Sequence, residues 1–171
     1  MPLARGKKNI YVGMELDYGT PREVIVLMDI YITKAIDEFL EETMKSIKTP
    51  AGNHPFKVEE ACKKLYNRDN IILRRLVSNI ISLSKGAGTD IQPTITFLTT
   101  RVINPDKDNW KNIRRVLSYL DATINTVNPQ LNANNLNVVH LWVDASYGTH
   151  PDLKGQTGAT ISIGKVCVTS A

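Results

Sequence analysis

The sequence predicts an α+β chain: an N-terminal β-hairpin and helix, a three-helix middle segment, and a C-terminal three-stranded antiparallel meander. Three observations carry that prediction. Apolar residues alternate at Ile10, Val12, Met14 and Leu16. They recur at helical spacing along three bounded segments between residues 68 and 120. They return in three short apolar stretches after residue 138. Period two marks strands and a period near 3.6 marks amphipathic helices.

Residues 9–16 are expected to be one strand, with Tyr11, Gly13 and Glu15 on the opposite face. A turn containing Gly19 and Pro21 leads to a second strand at 24–28. Such a hairpin is marginal alone and needs more sheet or a helix over its apolar face. Asp29 can cap a helix running to about residue 44. Its apolar face is Ile32, Ala35, Ile36, Phe39 and Leu40, against Asp37, Glu38, Glu41 and Glu42. Residues 49–55, with Pro50, Gly52 and Pro55, suggest a linker, and residues 56–67 carry no clear pattern.

The middle segment begins with a helix at 68–85, whose stripe is Ile72, Leu76, Ile80 and Leu83 and whose end is marked by Gly86 and Gly88. A second helix starts with Asp90 as its cap; Pro93 then falls at the third helical position, where its missing N–H loses no intrahelical bond. Ile91, Ile95, Leu98 and Val102 form its core face. Asn104 and Pro105 are expected to cap and open the third helix. Its seam is Trp110, Ile113, Leu117 and Leu120. Lys107, Lys111, Arg114 and Arg115 share an arc of roughly 100° away from that seam.

Residues 125–137 are Asn-rich and contain Pro129, which predicts a loop. Strands are expected at 138–144, 159–163 and 166–169, with a hinge at Gly164 and Lys165. The capped middle helices can bury one another and are expected to hold the stability. Both terminal sheets are expected to expose apolar faces and to exchange freely or associate.

Composition narrows the function classes. Among 171 residues, 42% are hydrophobic and 22% charged, which suits a globular chain. No apolar run of about 18 residues occurs, so no membrane span is expected. The basic N-terminus lacks an apolar stretch behind it and is not a secretory signal. Cys62 and Cys167 form no Cys-x-x-Cys motif and His54, His140 and His150 are scattered, so neither zinc site nor disulfide framework is expected. Two reduced thiols in an intracellular protein fit this pattern.

Charge is unevenly spread. Residues 51–130 hold twelve Lys/Arg against seven Asp/Glu, while residues 1–50 hold seven against eight. The helix with Lys107, Lys111, Arg114 and Arg115 is therefore the candidate surface for a polyanion. His150, Pro151 and Asp152 have no nucleophile motif beside them and are assigned to a loop. Residues 84–88 are glycine-rich but lack the Gly-Lys-Ser/Thr ending of a phosphate loop.

Several stretches, in order, resemble the Pol polyprotein of copia-type retrotransposons. Residues 5–18, Arg-Gly-Lys-Lys-Asn-Ile-Tyr-Val-Gly-Met-Glu-Leu-Asp-Tyr, are similar to the strand after the polymerase active site. Residues 24–39 resemble the next strand and first thumb helix, and Thr49-Pro50-Ala51 the linker. Asp90-Ile91-Gln92-Pro93, Thr100-Arg101-Val102, Pro105 and Trp110 follow at the family's spacing. Arg114-Arg115-Val116-Leu117-Ser118-Tyr119-Leu120 resembles the Arg-Val-Leu-x-Tyr-Leu motif. Trp142-Val143-Asp144-Ala145-Ser146-Tyr147, His150-Pro151-Asp152 and Thr157-Gly158 resemble the opening of ribonuclease H. Gly88 and Thr89 stand where the family has Arg-Pro, and Gln156 where a His is common; both fit drift in a degenerate copy.

The resemblance implies three regions: residues 1–50 as the end of the reverse transcriptase palm and a thumb helix, 51–130 as thumb and connection, and 131–171 as the truncated start of ribonuclease H. It implies an ancestral role in RNA-templated DNA synthesis and hybrid degradation, with Mg²⁺ as the metal of the complete enzyme. Asp144 corresponds to the first catalytic, metal-binding aspartate of ribonuclease H. Two-metal chemistry needs further converging carboxylates. The sequence contains no Asp-Asp pair, and the family's Tyr-x-Asp-Asp turn is expected upstream of residue 1. The other ribonuclease H carboxylates are expected after the third strand. The chain is therefore expected to be inactive, to hold no cofactor itself, and to bind an RNA–DNA hybrid only weakly. Its rival roles are a repurposed nucleic-acid-binding module, or a subunit completed by a chain that supplies the missing polymerase and ribonuclease H segments.

Overall fold

The computed structural model describes residues 6–11, 14–21, 23–39, 41–44, 47–54, 56–59, 61–86, 88–124, 130–132, 138–148, 155–163 and 166–170. Leu40, the hinge at Gly164 and Lys165, Pro129, and the loop residues His150, Pro151 and Asp152 lie outside them. The fold is α+β, with two antiparallel sheets and four helices.

The strand expected at 9–16 is instead two strands, β1 (Lys8–Tyr11) and β2 (Met14–Asp17), paired antiparallel with Tyr11 opposite Met14. Ile10 lies opposite Glu15, and Asn9 opposite Leu16, so Ile10 falls on the other face from Met14 and Leu16 and is 79% exposed; Val12 and Gly13 lie outside the described residues. The expected pairing with the next strand holds: β3 (Glu23–Leu27) lies against β2, with Leu16 opposite Val26. The Asn-rich stretch expected as loop contributes a fourth strand. Gln130, Leu131 and Asn132 form β4 (Gln130–Asn132) on β3, giving the order β1-β2-β3-β4. These residues have little strand propensity; backbone pairing to an otherwise open edge decides their conformation.

Four helices follow: α1 (Asp29–Phe39), α2 (Asn67–Gly86), α3 (Gln92–Arg101) and α4 (Lys107–Thr123). α1 stops five residues short of the expected end. Residues 41–44 lie against α4 instead, and α4 supplies the reason. Ser118 Oγ accepts from Met44 N–H at 2.8 Å, and Asp121 accepts from the Thr43 hydroxyl at 2.7 Å. Trp110 Nε1 donates to Glu41 at 2.9 Å. These tertiary bonds satisfy groups that another helical turn would have paired locally.

Asp90 is not a helix cap. It sits in a 3-10 turn, Thr89–Ile91, and α3 begins at Gln92. Its carboxylate accepts from Ile91 N–H and from the Tyr119 hydroxyl. Gly88 packs tightly here: a Cβ on it would meet both Ile91 and Leu83 at 3.3 Å. Gly88 thus fits its own surroundings.

One hydrophobic core joins the N-terminal sheet to the helices, which corrects the expectation that the N-terminal end lies loose. Val26, Met28, Ile32, Ala35 and Phe39 are buried in the same cluster as Leu73, Leu76, Ile80, Ile95, Leu98, Ile113 and Leu117. Met14 and Leu16 pack on it from β2. The expected seams are largely kept. Ile72, Val102, Ile36 and Trp110 are half-buried, whereas Leu73, Val77, Phe97 and Val116 are buried without having been expected. α2 touches α1, α3 and α4, so its apolar face is wider than a single stripe.

The meander stands apart from that core, as expected. It consists of β5 (Val139–Ser146), β6 (Gln156–Ile163) and β7 (Val166–Ser170) in sequential antiparallel order. Every residue of β5 is exposed. β7 approaches α2 and β4. Gly155 opens β6 where a Cβ would lie 2.8 Å from the Ser146 carbonyl oxygen, closer than any side chain tolerates.

The Tyr119–Asp90 bond gives a pH prediction. The hydrogen bond to Asp90, then burial, then the nearby carboxylate charge push the Tyr119 phenol up to about 12. A folded-state value above the unfolded one means stability that is complete below about pH 10 and lost as pH rises toward 12. In a spectrophotometric titration of the tyrosines, Tyr119→Phe should remove the latest-titrating phenol. The variant's stability should also fall less than the native chain's above pH 10. An unchanged late titration would show that the bond is not formed.

Candidate nucleic-acid interface

The site is built on the first turn of α4. Asp106, rather than the expected Asn104, caps the helix, and the helix starts at Lys107 rather than Pro105. The reason is a reciprocal cap. Asp106 Oδ1 accepts from the N–H groups of Asp108 (3.1 Å) and Asn109 (3.0 Å), and Asn109 Oδ1 accepts from Asp106 N–H (3.0 Å). Such an arrangement satisfies N-terminal donors that helix geometry leaves open. Asn104 is used otherwise, donating its N–H to the Arg101 carbonyl at the end of α3.

The segment 63–65, for which the sequence predicts no element, lies antiparallel to this start. Leu65 N–H donates to the Pro105 carbonyl and Lys107 N–H to the Lys63 carbonyl. Lys64 and Arg101 each reach the Asp106 carboxylate at 3.7 Å. With the helix N–H groups already capped by that carboxylate, any phosphate here would be met by side chains.

The four expected basic residues divide into two pairs. Lys107 is exposed. Lys111 is 75% exposed and bridges to Asp108 at 2.7 Å. That hydrogen bond is the main cause holding the Asp108 carboxyl below its ordinary range and the Lys111 ammonium above its own. Exposed pairs of this kind contribute little, so Lys111 can exchange Asp108 for a phosphate at small cost.

Arg114 and Arg115 are half-buried and occupied. Arg114 donates from Nε and Nη2 to the Glu42 carbonyl at 3.1 and 2.8 Å. Arg115 donates from Nε to the Thr49 carbonyl and from Nη2 to the Thr49 hydroxyl. Arg114 thus pins Glu42 to α4 and Arg115 pins Thr49, and neither is presented as a free cation. The structure brings other lysines in instead. Lys63 is exposed beside Lys107, and Lys57, exposed and paired at the surface with Glu59 at 3.4 Å, is close enough to act on the Asp108 carboxyl. No sequence pattern marks Lys57 and Lys63, because the segment 56–67 has no regular period; only the bridge to the α4 start brings it there.

Asp144 lies far along β5, exposed, with Gly158 across the ladder. Its Oδ1 accepts from the following Ala145 N–H at 2.9 Å. Among the described residues no three His, Cys, Asp or Glu side chains assemble as a metal site. The described residues therefore do not by themselves fit a two-metal centre. Among them too, no helix is long and apolar enough to cross a membrane.

Comparison with known proteins finds a distant relative. The chain is 23% identical over 158 residues to the putative transposon Ty5-1 protein of Saccharomyces cerevisiae. The likeness is to a transposon protein. It takes in 92% of this chain and 50% of that protein, so the chain spans about half the length of the relative it matches. No family model and no solved structure matches.

Proposed function

We propose that the chain is a segment of a copia-type retrotransposon polyprotein, running from the end of reverse transcriptase through thumb and connection into the first strands of ribonuclease H. In this reading it holds the phosphate backbone of an RNA–DNA hybrid and turns over neither reaction. The ordered motifs, the transposon relative and the meander carrying Asp144 support the origin. The observation that carries the binding role is the gathering of exposed Lys57, Lys63, Lys107 and Lys111 around the α4 start. Ammonium groups on flexible stems neutralise phosphates without reading bases.

Fluorescence anisotropy with a labelled RNA–DNA hybrid tests this. Four phosphate contacts give a slope of about −3.6 for log affinity against log salt. Joint Lys107→Glu and Lys111→Glu substitution should weaken binding at least about tenfold and flatten the slope by about 2. Affinity should not depend on hybrid sequence, and the hybrid should stay intact with Mg²⁺ or Mn²⁺ present. Unchanged affinity in the double variant would refute the surface, and hybrid cleavage lost on Asp144→Asn would refute the inactivity.

A further inference from the structure

Of the twelve exposed large hydrophobic residues among those described, six fall in one stretch: Val138, Val139, Leu141, Trp142, Val143 and Tyr147. That concentration singles out β5 from the scattered apolar residues normal on any surface. In the order β5-β6-β7, one long edge of β5 has no strand partner among the described residues. Natural edge strands are usually blunted by lysine, proline or a bulge. β5 carries no lysine or proline, and the register irregularity of this sheet lies between β6 and β7.

We infer that β5 pairs edge to edge with β5 of a second copy, antiparallel about a two-fold axis, joining the two meanders into one six-stranded sheet. The register follows from symmetry and charge. A two-fold axis normal to the sheet keeps each residue on its own face, so it must pass through a residue position rather than between two. Centred on Trp142, it sets Leu141 of one copy against Val143 of the other and Trp142 against its equivalent. His140 of each copy then faces Asp144 of the other, and an imidazole N–H can donate to that carboxylate. Centring on Leu141 would face Asp144 with Val138, and centring on Val143 would face it with Trp142. Only the Trp142 register pairs both polar groups. His140 and Trp142 already stack on that face, with ring centroids 6.5 Å apart. Residues 131–171 hold two Lys/Arg and two Asp/Glu, so no net charge opposes association. Isologous pairing of this kind is the commonest route to a closed dimer.

Sedimentation velocity on the full chain, without nucleic acid, from about 1 to about 100 µM tests the inference. The native chain should pass from monomer to dimer within that range. His140→Asp sets two carboxylates against each other at both ends of the contact and should raise Kd at least about tenfold. Adding Asp144→His to that variant reverses the pair and should restore Kd to within about threefold. Both positions are exposed, so circular dichroism should report an unchanged fold. A native chain that stays monomeric throughout overturns the inference. So does a dimer indifferent to His140→Asp, or one that the reversed pair fails to restore, since association would then run through another face or register.

Discussion

Phe39→Ala will cost the fold about 3–5 kcal/mol and will be felt throughout the helical core, not only in α1. Phe39 is 1% exposed and is the last residue of α1. Its ring lies 4.9 Å from that of Trp110 on α4, at an interplanar angle of 32°. Removing it opens a void where α1 meets α4, next to the Trp110–Glu41 bond and with α1 held to α2 through Tyr31 and Glu38, which limits how far the site can collapse to fill it. Total stabilities of about 5–15 kcal/mol make such a loss a large fraction. Urea denaturation followed by Trp fluorescence and by circular dichroism should give coincident, lowered transitions. Ile36→Ala, half-buried on the same helix, should cost visibly less. A Phe39→Ala chain in which α1 exchanges freely while α2 keeps native protection would show that the N-terminal sheet and α1 form a separate cooperative unit.

Asp106→Ala should cost about 2–4 kcal/mol, more than a cap alone, whose loss is typically about 1 kcal/mol. The carboxylate is 3% exposed and serves two helix N–H groups and two cations at once. Its loss leaves Lys64 and Arg101 without a counter-charge in a partly buried setting, and also frees the α4 start. Asp106→Asn keeps an acceptor for the N–H groups and discards the charge, so its cost should be roughly half. Equal costs for the two substitutions would mean that the cations contribute nothing, and thermal or urea melts of both variants decide it.

The elements legible in the sequence are those determined by their own residues. α2 was expected at 68–85 and spans Asn67–Gly86, because a long amphipathic period and a glycine-rich end suffice to define it. The meander was expected from its short apolar stretches, although β5 and β6 run longer than those stretches. The misses share one physical origin. The early end of α1, the occupation of Arg114 and Arg115, and the strand β4 each depend on partners distant in sequence. Local propensity is a weak prior against such tertiary bonds. The candidate interface shows the same division. Lys107 and Lys111 were readable from helical phase, whereas Lys57 and Lys63 join them only through the bridge at Lys64 and Asp106.

The bonds that tie residues 41–44 and Thr49 to α4 join groups 66 to 78 positions apart in the chain. During synthesis at about 5–20 residues per second, Thr43 and Thr49 therefore wait roughly 3–16 s before their partners on α4 exist. Over that interval Phe39 lacks Trp110 and the α4 side of the core stays open, although α2 has already been made, and a nascent chain in that state invites association. In the sequence, the acidic residues Asp37, Glu38, Glu41 and Glu42 sit beside Phe39 and its apolar neighbours. Set among the apolar residues, these carboxylates interrupt that stretch and limit its association until α4 emerges, a service to solubility that ends once the fold closes.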